Sequence, residues 1–454
     1  MSLFQRKRTE SAAAASETVA VQSAQVMSPY LEELLEHYKA RLLAETNLEP
    51  LIAAEESERR LSIERLISQF MLEEKVVISK TDREMLLTRL IDETVGFGPL
   101  EQLLKDPTIT EILVNGPKEI HVERNGRLES SHITFKNEEH VRHIVDRVIA
   151  PLGRRIDESS PMVDARLPDG SRVNAVIPPI SLNGTLLSIR KFRKEPFEME
   201  DLLRLSSLDE NMSKFIRALV EAKLNILISG GTGSGKTTLL NAVAKSIPLH
   251  ERVITIEDSA ELRLNRGSVV GMEARPPNVE GQGEVSIRQL VRNSLRMRPD
   301  RIIVGEVRGA EAFDMLQAMN TGHEGSLTTV HSNSPVDAIS RVEGMVIMAG
   351  MDLPSEIVRE YIVGALDYII QADRLGDGQR KIVNISEVYV DDDKGVKIRD
   401  VFIFKRTGTG KNGEVIGHFT PTGYIPKCLD HLKVFGIDLD ESMFQVKEEV
   451  AQWT

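Results

Sequence analysis

The chain has 454 residues, a formal net charge of −12, and 41% hydrophobic and 28% charged residues. This length gives room for roughly three domains. No run approaches the about 18 apolar residues that cross a bilayer, so we expect a cytoplasmic protein. The net negative charge argues against nucleic-acid binding through a broad basic surface. The single cysteine, Cys428, excludes an intramolecular disulfide and a multi-thiolate zinc site.

The first part of the chain predicts a tail followed by helices. Residues 1–27 are rich in Ala and Ser and have no apolar period, which predicts a disordered tail. Residues 28–95 contain three stretches with apolar side chains at helical spacing, which predict a three-helix bundle. Ser28, followed by Pro, is predicted to cap the first helix. Thr81 and Glu84 are predicted to form a capping box on the third. Whether the bundle only packs or docks a partner stays open.

The next part predicts a small mixed α/β domain over residues 96–193. Asn125-Gly126 is a strong signal for a two-residue hairpin turn between two short strands. A helix is predicted from about residue 137 to 149, with a further strand pair after it. Residues 194–205, which include a Glu-Pro step, are predicted to form a linker.

The remaining chain predicts one larger α/β domain. Between residues 206 and 375, strand-length apolar runs alternate with helical patterns, as in a parallel sheet with helices on its faces. Residues 376–454 are strand-rich with Gly and Asp turns, and we expect them to complete the same domain.

A phosphate-binding motif follows the first strand of this domain. Residues 230–237, Gly-Gly-Thr-Gly-Ser-Gly-Lys-Thr, match the eight-position P-loop pattern, with a strand before it and a helix after it. Backbone N–H groups of the loop can hold the β-phosphate, Lys236 offsets charge on the β- and γ-phosphates, and Thr237 can ligate Mg²⁺. We therefore expect ATP or ADP with Mg²⁺ to bind. The predicted contacts are Gly231, Thr232, Gly233, Ser234, Gly235, Lys236, Thr237 and Thr238.

Acidic and histidine side chains follow other strands of the same predicted sheet. Glu257 and Asp258 end one β-branched strand, and Glu306 ends another. Side chains at the carboxyl ends of parallel strands face the ligand crevice, where one carboxylate can hold the Mg²⁺ shell and another can polarise water. His323 and His331 bracket a third strand, and both are predicted to lie at this edge and sense the γ-phosphate.

Four blocks stand in the order typical of one superfamily. They are the P-loop at 230–237, an aspartate box Thr-Ile-Glu-Asp-Ser-Ala-Glu at 255–261, a Walker B block at 298–308, and a histidine box at 321–333. With these the chain resembles the type II/type IV secretion superfamily of motor ATPases over roughly residues 96–372. The resemblance implies a RecA-like P-loop NTPase domain preceded by a smaller PAS-like α/β domain and the three-helix bundle.

Within that superfamily the chain most resembles the tight-adherence (Tad/Flp) pilus ATPases of the CpaF/TadA type. The supporting stretches are Gly-Pro-Leu-Glu at 98–101, Val-Asn-Gly at 114–116, and Asp-Ala-Arg-Leu-Pro-Asp-Gly-Ser-Arg at 164–172. The seven residues between His323 and His331 match this branch and the conjugation-type branch. The single cysteine departs from the four-cysteine zinc insertion of many type II secretion ATPases.

The resemblance also implies an assembly and residue roles. It implies a homo-hexameric motor at the inner face of the inner membrane that works on a platform protein. The motor would power either pilus assembly or protein secretion, and whether it also drives pilus retraction stays open. Glu257 would be the general base, Glu306 the Walker B acid acting through Mg²⁺, and His331 a γ-phosphate sensor; which glutamate is the base stays open. The smaller domain would supply arginines that reach the phosphates. The candidates are Arg166, Arg172 and Arg190, and the sequence does not favour one of them over the others.

Two alternatives belong to other functional classes. One is a DNA-linked motor, either a conjugation or DNA-transfer ATPase or a RecA-like helicase; the net acidity and the lack of aromatic–basic stretches count against it, and no direct nucleic-acid partner is expected. The other is a nucleotide-binding regulator that binds ATP but barely hydrolyses it, which the presence of both Glu257 and Glu306 disfavours.

Overall fold

A computed structural model describes residues 27–446 except 47–49, 52–53, 125, 153, 168, 193–195, 265–266, 278–281, 351–352, 391–395 and 412. The predicted tail lies outside the described residues except for Met27. The chain forms two compact units: an N-terminal unit up to Arg124 with Leu128–Lys191, and a C-terminal unit of Asn125–Arg127 and the chain from Phe192. Within the described ranges, no helix has the length and apolar character needed to cross a bilayer.

The N-terminal unit begins with the three predicted helices, α1 (Pro29–Glu45), α2 (Glu56–Glu73) and α3 (Lys80–Thr94). Their leucine, isoleucine and aromatic side chains form one buried cluster. Ser28 caps α1 as predicted, and its hydroxyl accepts from the N–H of Leu31 at 3.3 Å. The capping box predicted for α3 is wrong: the cap is Ser79, whose hydroxyl accepts from the N–H of Asp82 at 3.0 Å. Because Ser79 satisfies that donor, the helix starts before Thr81.

A six-stranded sheet completes the unit, in the order β3-β2-β1-β6-β5-β4. Its strands are β1 (Ile109–Asn115), β2 (Ile120–Arg124), β3 (Arg127–Ser130), β4 (Met162–Arg166), β5 (Arg172–Val176) and β6 (Leu186–Arg190); α4 (Leu100–Lys105), α5 (Glu138–Ile149) and the 3-10 turn Ala150–Leu152 accompany them. The neighbouring positions of β2 and β3 fit the predicted hairpin, of which Asn125 itself lies outside the described residues. Asn137 caps α5, where the helix was predicted to begin.

The C-terminal unit is built on a nine-stranded sheet in the order β15-β14-β13-β12-β7-β11-β10-β8-β9. The strands are β7 (Ile226–Gly230), β8 (Val253–Glu257), β9 (Val269–Glu273), β10 (Arg301–Val307), β11 (Leu327–His331), β12 (Tyr368–Arg374), β13 (Arg380–Val390), β14 (Val396–Thr409) and β15 (Val415–Pro421). The helices are α6 (Met199–Arg204), α7 (Glu210–Glu221), α8 (Lys236–Ala244), α9 (Ile287–Ser294), α10 (Glu311–Asn320), α11 (Pro335–Met348), α12 (Ser355–Ala365) and α13 (Leu429–Val434), with a 3-10 turn at Glu441–Phe444.

In the sheet order, the six strands β12, β7, β11, β10, β8 and β9 are parallel to one another. Strands β13, β14 and β15 extend the sheet beyond β12 by antiparallel pairing. Alternate residues of β7 enter different cores: Ile226 and Ile228 pack with helices α6 to α8, and Leu227 packs with helices α9 to α12. Helices therefore cover both faces of the parallel strands, as predicted from the alternation of strand and helix patterns. In such a sheet the carboxyl ends of the strands meet at one edge, where ligands bind.

Candidate nucleotide site

The P-loop connects β7 to α8, in the strand–loop–helix order that its sequence predicts. β7 ends at Gly230, and α8 starts at Lys236, so Thr237 and Thr238 lie in the first turn of the helix. Gly233 and Gly235 have φ values of 71° and 93°, in the left-handed region that favours glycine. A Cβ on Gly230 would come within 2.4 Å of the Ala372 carbonyl oxygen, so the loop requires glycine there as well.

The polar groups of the loop suit phosphate. The Ser234 hydroxyl is buried, with 4% of the residue exposed, and has no hydrogen-bond partner. Buried polar groups are normally paired, so an orphaned hydroxyl inside a P-loop fits a bound phosphate oxygen. The Lys236 ammonium donates to the carbonyl oxygens of Gly230 and Gly231, at 3.0 Å each. In the role predicted from the sequence, Lys236 would turn from these carbonyls toward the phosphates.

His331 lies directly beside the P-loop. It is the last residue of β11, the neighbour of β7, and it is paired in register with Gly230. Its Nε2 is 2.7 Å from the hydroxyl oxygen of Thr232. Burial, and after it the charge of Lys236, lowers the pKa of His331 below its ordinary value. The imidazole is therefore held neutral at neutral pH, in contact with the loop that would carry the phosphates.

His323, which was predicted to lie at the same edge, does not. It precedes the start of β11 at Leu327, and Leu327 pairs with Ile226 at the beginning of β7. The amino ends of parallel strands lie at the edge opposite to their carboxyl ends, so His323 is at the far edge of the sheet from Gly230. The sequence prediction was wrong because histidines at the two ends of one strand cannot share an edge.

Glu257 is a buried carboxylate at the end of β8. The residue is 4% exposed, and its Oε2 accepts from the backbone N–H groups of Glu261 at 2.8 Å and Leu262 at 3.0 Å. On the adjacent strand β10, a Cβ on Gly305 would come within 3.0 Å of the Glu257 Cγ. The close approach and the two backbone donors hold the Glu257 side chain in one orientation.

Glu306 lies two strands from the P-loop strand and has a cationic neighbour. The Arg308 Nη2 donates to the Glu306 Oε2 at 2.6 Å, and the Arg308 Nη1 is 3.5 Å from the Asp258 Oδ2. The hydrogen bond from Arg308 to Glu306 raises the pKa of Arg308. Arg308, the residue directly after β10, received no role from the sequence.

The three candidate arginines lie in the N-terminal unit. Arg166 on β4 pairs in register with Arg172 on β5, and Arg172 pairs with Arg190 on β6, so they form one row across adjacent strands. Arg190 is 3.8 Å from the Glu111 carboxylate on β1. The row concentrates positive charge on this part of the sheet, and Glu111 offsets part of it beside Arg190. Their predicted role at the phosphates stays a prediction.

A magnesium ion here would depend on the nucleotide. The described part of the chain contains no group of three or more His, Cys, Asp or Glu side chains that could hold a metal. Mg²⁺ is usually bound by one or two protein oxygens together with substrate phosphates. Thr237 at the start of α8 and Glu306 on β10 supply oxygens of that kind, so the donor set fits an ion that arrives with ATP.

Known proteins match most of this chain. The family described as "Type II/IV secretion system protein" matches residues 93–388, more than half of the chain. A putative conjugal transfer protein of Mycobacterium tuberculosis is 39% identical over 313 residues, covering 67% of this chain and 88% of that protein. The type IV secretion system protein VirB11 of Bartonella henselae is 32% identical over 351 residues, covering 67% of this chain and 96% of that protein.

One solved structure is also similar: the VirB11 ATPase of the Brucella suis type IV secretion system in complex with sulphate. It is 31% identical, covers 64% of this chain and 92% of that chain, and has a TM-score of 0.35. With a P-loop at the carboxyl edge of a parallel sheet and this family match over both units, the chain belongs to the type II/IV secretion system protein family and is an ATPase.

Proposed function

We propose that this chain is the cytoplasmic motor of a pilus-assembly or secretion machine, working as a homo-hexamer at the inner face of the inner membrane. The observation that carries the proposal is the order of strands at one edge: β7 with the P-loop, then β11 with His331, β10 with Glu306, and β8 with Glu257. A phosphate loop, two carboxylates and a histidine at one edge of a sheet are the groups that hydrolysis of a bound nucleotide would use, which supports the proposal. The resemblance to the Tad/Flp branch favours the pilus.

Each side chain has a proposed part in ATP hydrolysis. The Lys236 ammonium gives up its hydrogen bonds to the Gly230 and Gly231 carbonyls and donates to phosphate oxygens instead. Its charge then offsets that of the transferred phosphoryl group. Glu257, fixed by two backbone donors, orients the attacking water and accepts its proton. When bound, Mg²⁺ neutralises charge on the β- and γ-phosphates, and Thr237 and Glu306 would hold it.

Two further elements connect hydrolysis to movement in this proposal. His331 contacts the P-loop through Thr232, so loss of the γ-phosphate would alter that contact and the position of β11. By the resemblance to the secretion superfamily, Arg166, Arg172 and Arg190 would supply positive charge for the phosphoryl group. In a ring, repeated changes of this kind would push or turn a membrane platform protein and so add pilin subunits or move a secreted substrate.

A conjugation or DNA-transfer motor is the second candidate. It is favoured by the printed name of the mycobacterial relative, a putative conjugal transfer protein that is 39% identical. The net charge of −12 disfavours direct contact with DNA. The two candidates differ in whether single-stranded DNA stimulates ATP turnover.

The test is a pull-down from detergent-solubilised membranes with a Glu306→Gln protein held in its ATP state. We expect a polytopic membrane protein encoded with pilins or secretion components to be recovered, and the motor to elute as a hexamer. A Glu343→Gln protein, changed at an ion pair between α11 and α12, is the matched control. Recovery of DNA or a DNA-coupling protein would move the chain to the conjugation candidate. Recovery of soluble proteins alone would refute a membrane-coupled motor.

A further inference from the structure

The hairpin between β12 and β13 lies against the P-loop within the C-terminal unit. β12 is parallel to β7, with Ala372 in register with Gly230. Two residues later β12 ends at Arg374, which pairs in register with Arg380 at the start of β13. The hairpin therefore brings two arginines to the carboxyl edge of the sheet, next to the strand that carries the phosphate loop.

Both arginines lie close to the left-handed glycines of the loop. The Arg380 Nε donates to the Gly233 carbonyl oxygen at 2.9 Å. The Arg380 Cδ is 3.4 Å from the position that a Cβ would take on Gly235, and the Arg374 Nη1 is 3.4 Å from that position on Gly233. The aliphatic part of Arg380 thus runs along the loop, while its guanidinium group holds one carbonyl of it.

The hairpin is itself fixed by local hydrogen bonds. The Leu375 N–H donates to the Gln379 carbonyl at 2.8 Å, and the Asp377 carboxylate accepts from the N–H of Gln379 at 3.0 Å. The other oxygen of Asp377 accepts from the N–H of Val415 on β15 at 2.8 Å. The backbone that carries Arg380 is therefore already ordered, and holding the loop costs only the side-chain freedom of the arginine.

A P-loop binds phosphate through N–H groups, so each carbonyl of the loop must point elsewhere. Carbonyls that turned inward would repel the phosphate oxygens and cancel the attraction of the N–H groups. In this structure the Gly230 and Gly231 carbonyls accept from Lys236, whereas the Gly233 carbonyl accepts from Arg380. When Lys236 leaves for the phosphates, the bond from Arg380 does not have to break.

We infer that Arg380 is a positioning residue for nucleotide binding: it holds the Gly233 carbonyl away from the phosphates and adds a positive charge beside the loop. The inference rests on the proposed phosphate-binding role of residues 230–237 and is independent of which machine the motor drives. Because the Arg380 contact is to the loop and not to a group that changes during the reaction, it strengthens ADP and ATP binding alike and leaves the chemical step nearly unchanged.

The test measures Mg·ADP and Mg·ATP affinity with fluorescent nucleotides, together with KM, kcat and thermal stability, on the full chain. We expect Arg380→Ala to weaken both affinities about tenfold, as loss of a charge-assisted hydrogen bond implies, with kcat at saturating ATP within about threefold of wild type. Arg380→Lys should recover part of the affinity, because it restores the charge but not the planar Nε donor. Arg406→Ala, at an exposed arginine on β14, is the matched control and should bind normally.

Lys236→Ala separates this inference from the site assignment. If Lys236→Ala abolishes binding while folded Arg380→Ala binds both nucleotides within about twofold of wild type, the positioning role is refuted and the site stands. A kcat loss in Arg380→Ala with unchanged affinities also refutes it. If Lys236→Ala binds like wild type, the P-loop assignment fails and the inference fails with it. Should Arg380→Ala melt early, Arg380→Gln, which removes the charge but keeps a polar side chain, decides by the same criteria.

Discussion

At the scale of single residues, the candidate site is held together by contacts that join motifs far apart in sequence. The Thr232 hydroxyl meets the His331 imidazole at 2.7 Å, and Glu257 takes two backbone donors from the segment that follows it. Because Gly305 has no side chain, the Glu257 side chain on the neighbouring strand can pack closely against it. The chemistry of each group follows from such neighbours, and these neighbours can be altered one at a time.

His331 gives a prediction about pH. Burial and the charge of Lys236 lower its pKa, so protonation is disfavoured in the folded protein. The contact with Thr232 is made by the neutral ring, and both stability and kcat/KM should fall as pH decreases through this lowered pKa. His331→Gln keeps a polar group and cannot titrate, so the fall on the acid side should flatten in a pH–rate profile. An unchanged acid limb in His331→Gln would show that another group titrates.

Gly305 gives a prediction about geometry. Gly305→Ala places a methyl group 3.0 Å from the Glu257 Cγ, and this side chain, fixed by Glu261 and Leu262, must move. We expect kcat to fall by about tenfold or more with KM within about threefold, because a shifted general base affects the chemical step more than binding. Gly344→Ala on α11, where a Cβ meets nothing within 4 Å, is the control. A normal kcat in a stable Gly305→Ala protein would refute the role of Glu257.

At the scale of elements, local patterns predicted which segments form helices and strands, but they did not always predict the residue at which an element begins. Apolar spacing predicted α1 to α3, yet α3 begins at the Ser79 cap and not at the Thr81/Glu84 pair, because two competing caps stand two residues apart. The prediction for His323 was wrong for another reason: the two ends of a strand lie at opposite edges of its sheet, and His323 and His331 flank β11. Arg380 carried no local signal, since its partner Gly233 lies far away in sequence.

Asp92 near the end of α3 gives a prediction about stability. Burial raises its pKa to about 6, against an ordinary value of 3.8, although Lys105 lies 3.4 Å away. A raised carboxyl pKa means that the stability it contributes is present below pH about 4 and lost as pH rises through about 6. Asp92→Asn should therefore raise the free energy of unfolding at pH 8 by on the order of 2 kcal/mol and leave it nearly unchanged at pH 4. Thermal melts at both pH values measure this.

Asp146→Asn, an exposed carboxylate on α5, is the matched control for Asp92 and should show no such pH-dependent gain. If Asp92→Asn instead lowers stability equally at pH 4 and pH 8, the steric fit of the side chain, not its charge, governs the site. If it lowers stability only at pH 8, the ion pair with Lys105 outweighs the burial of the carboxylate.

At the scale of the whole molecule, the sheet order decides what the motifs can do. The sequence predicted a parallel sheet with a P-loop and acidic strand ends, but not that β11 and β10 stand between β7 and β8. That order sets His331 next to Gly230 and puts both glutamates on the strands beyond it. Long-range strand pairing of this kind depends on the packing of two helical layers, which no local pattern encodes.

The proposed site is tested most sharply by steady-state ATP turnover with Mg²⁺, measured on the full chain and on its Glu306→Gln variant. We predict that wild type hydrolyses ATP, that Glu306→Gln still binds it, and that its turnover falls by about a hundredfold or more, as removal of a group acting on the transition state implies. Glu343→Gln should turn over ATP like wild type. Substantial turnover by a folded Glu306→Gln protein would contradict the proposed site.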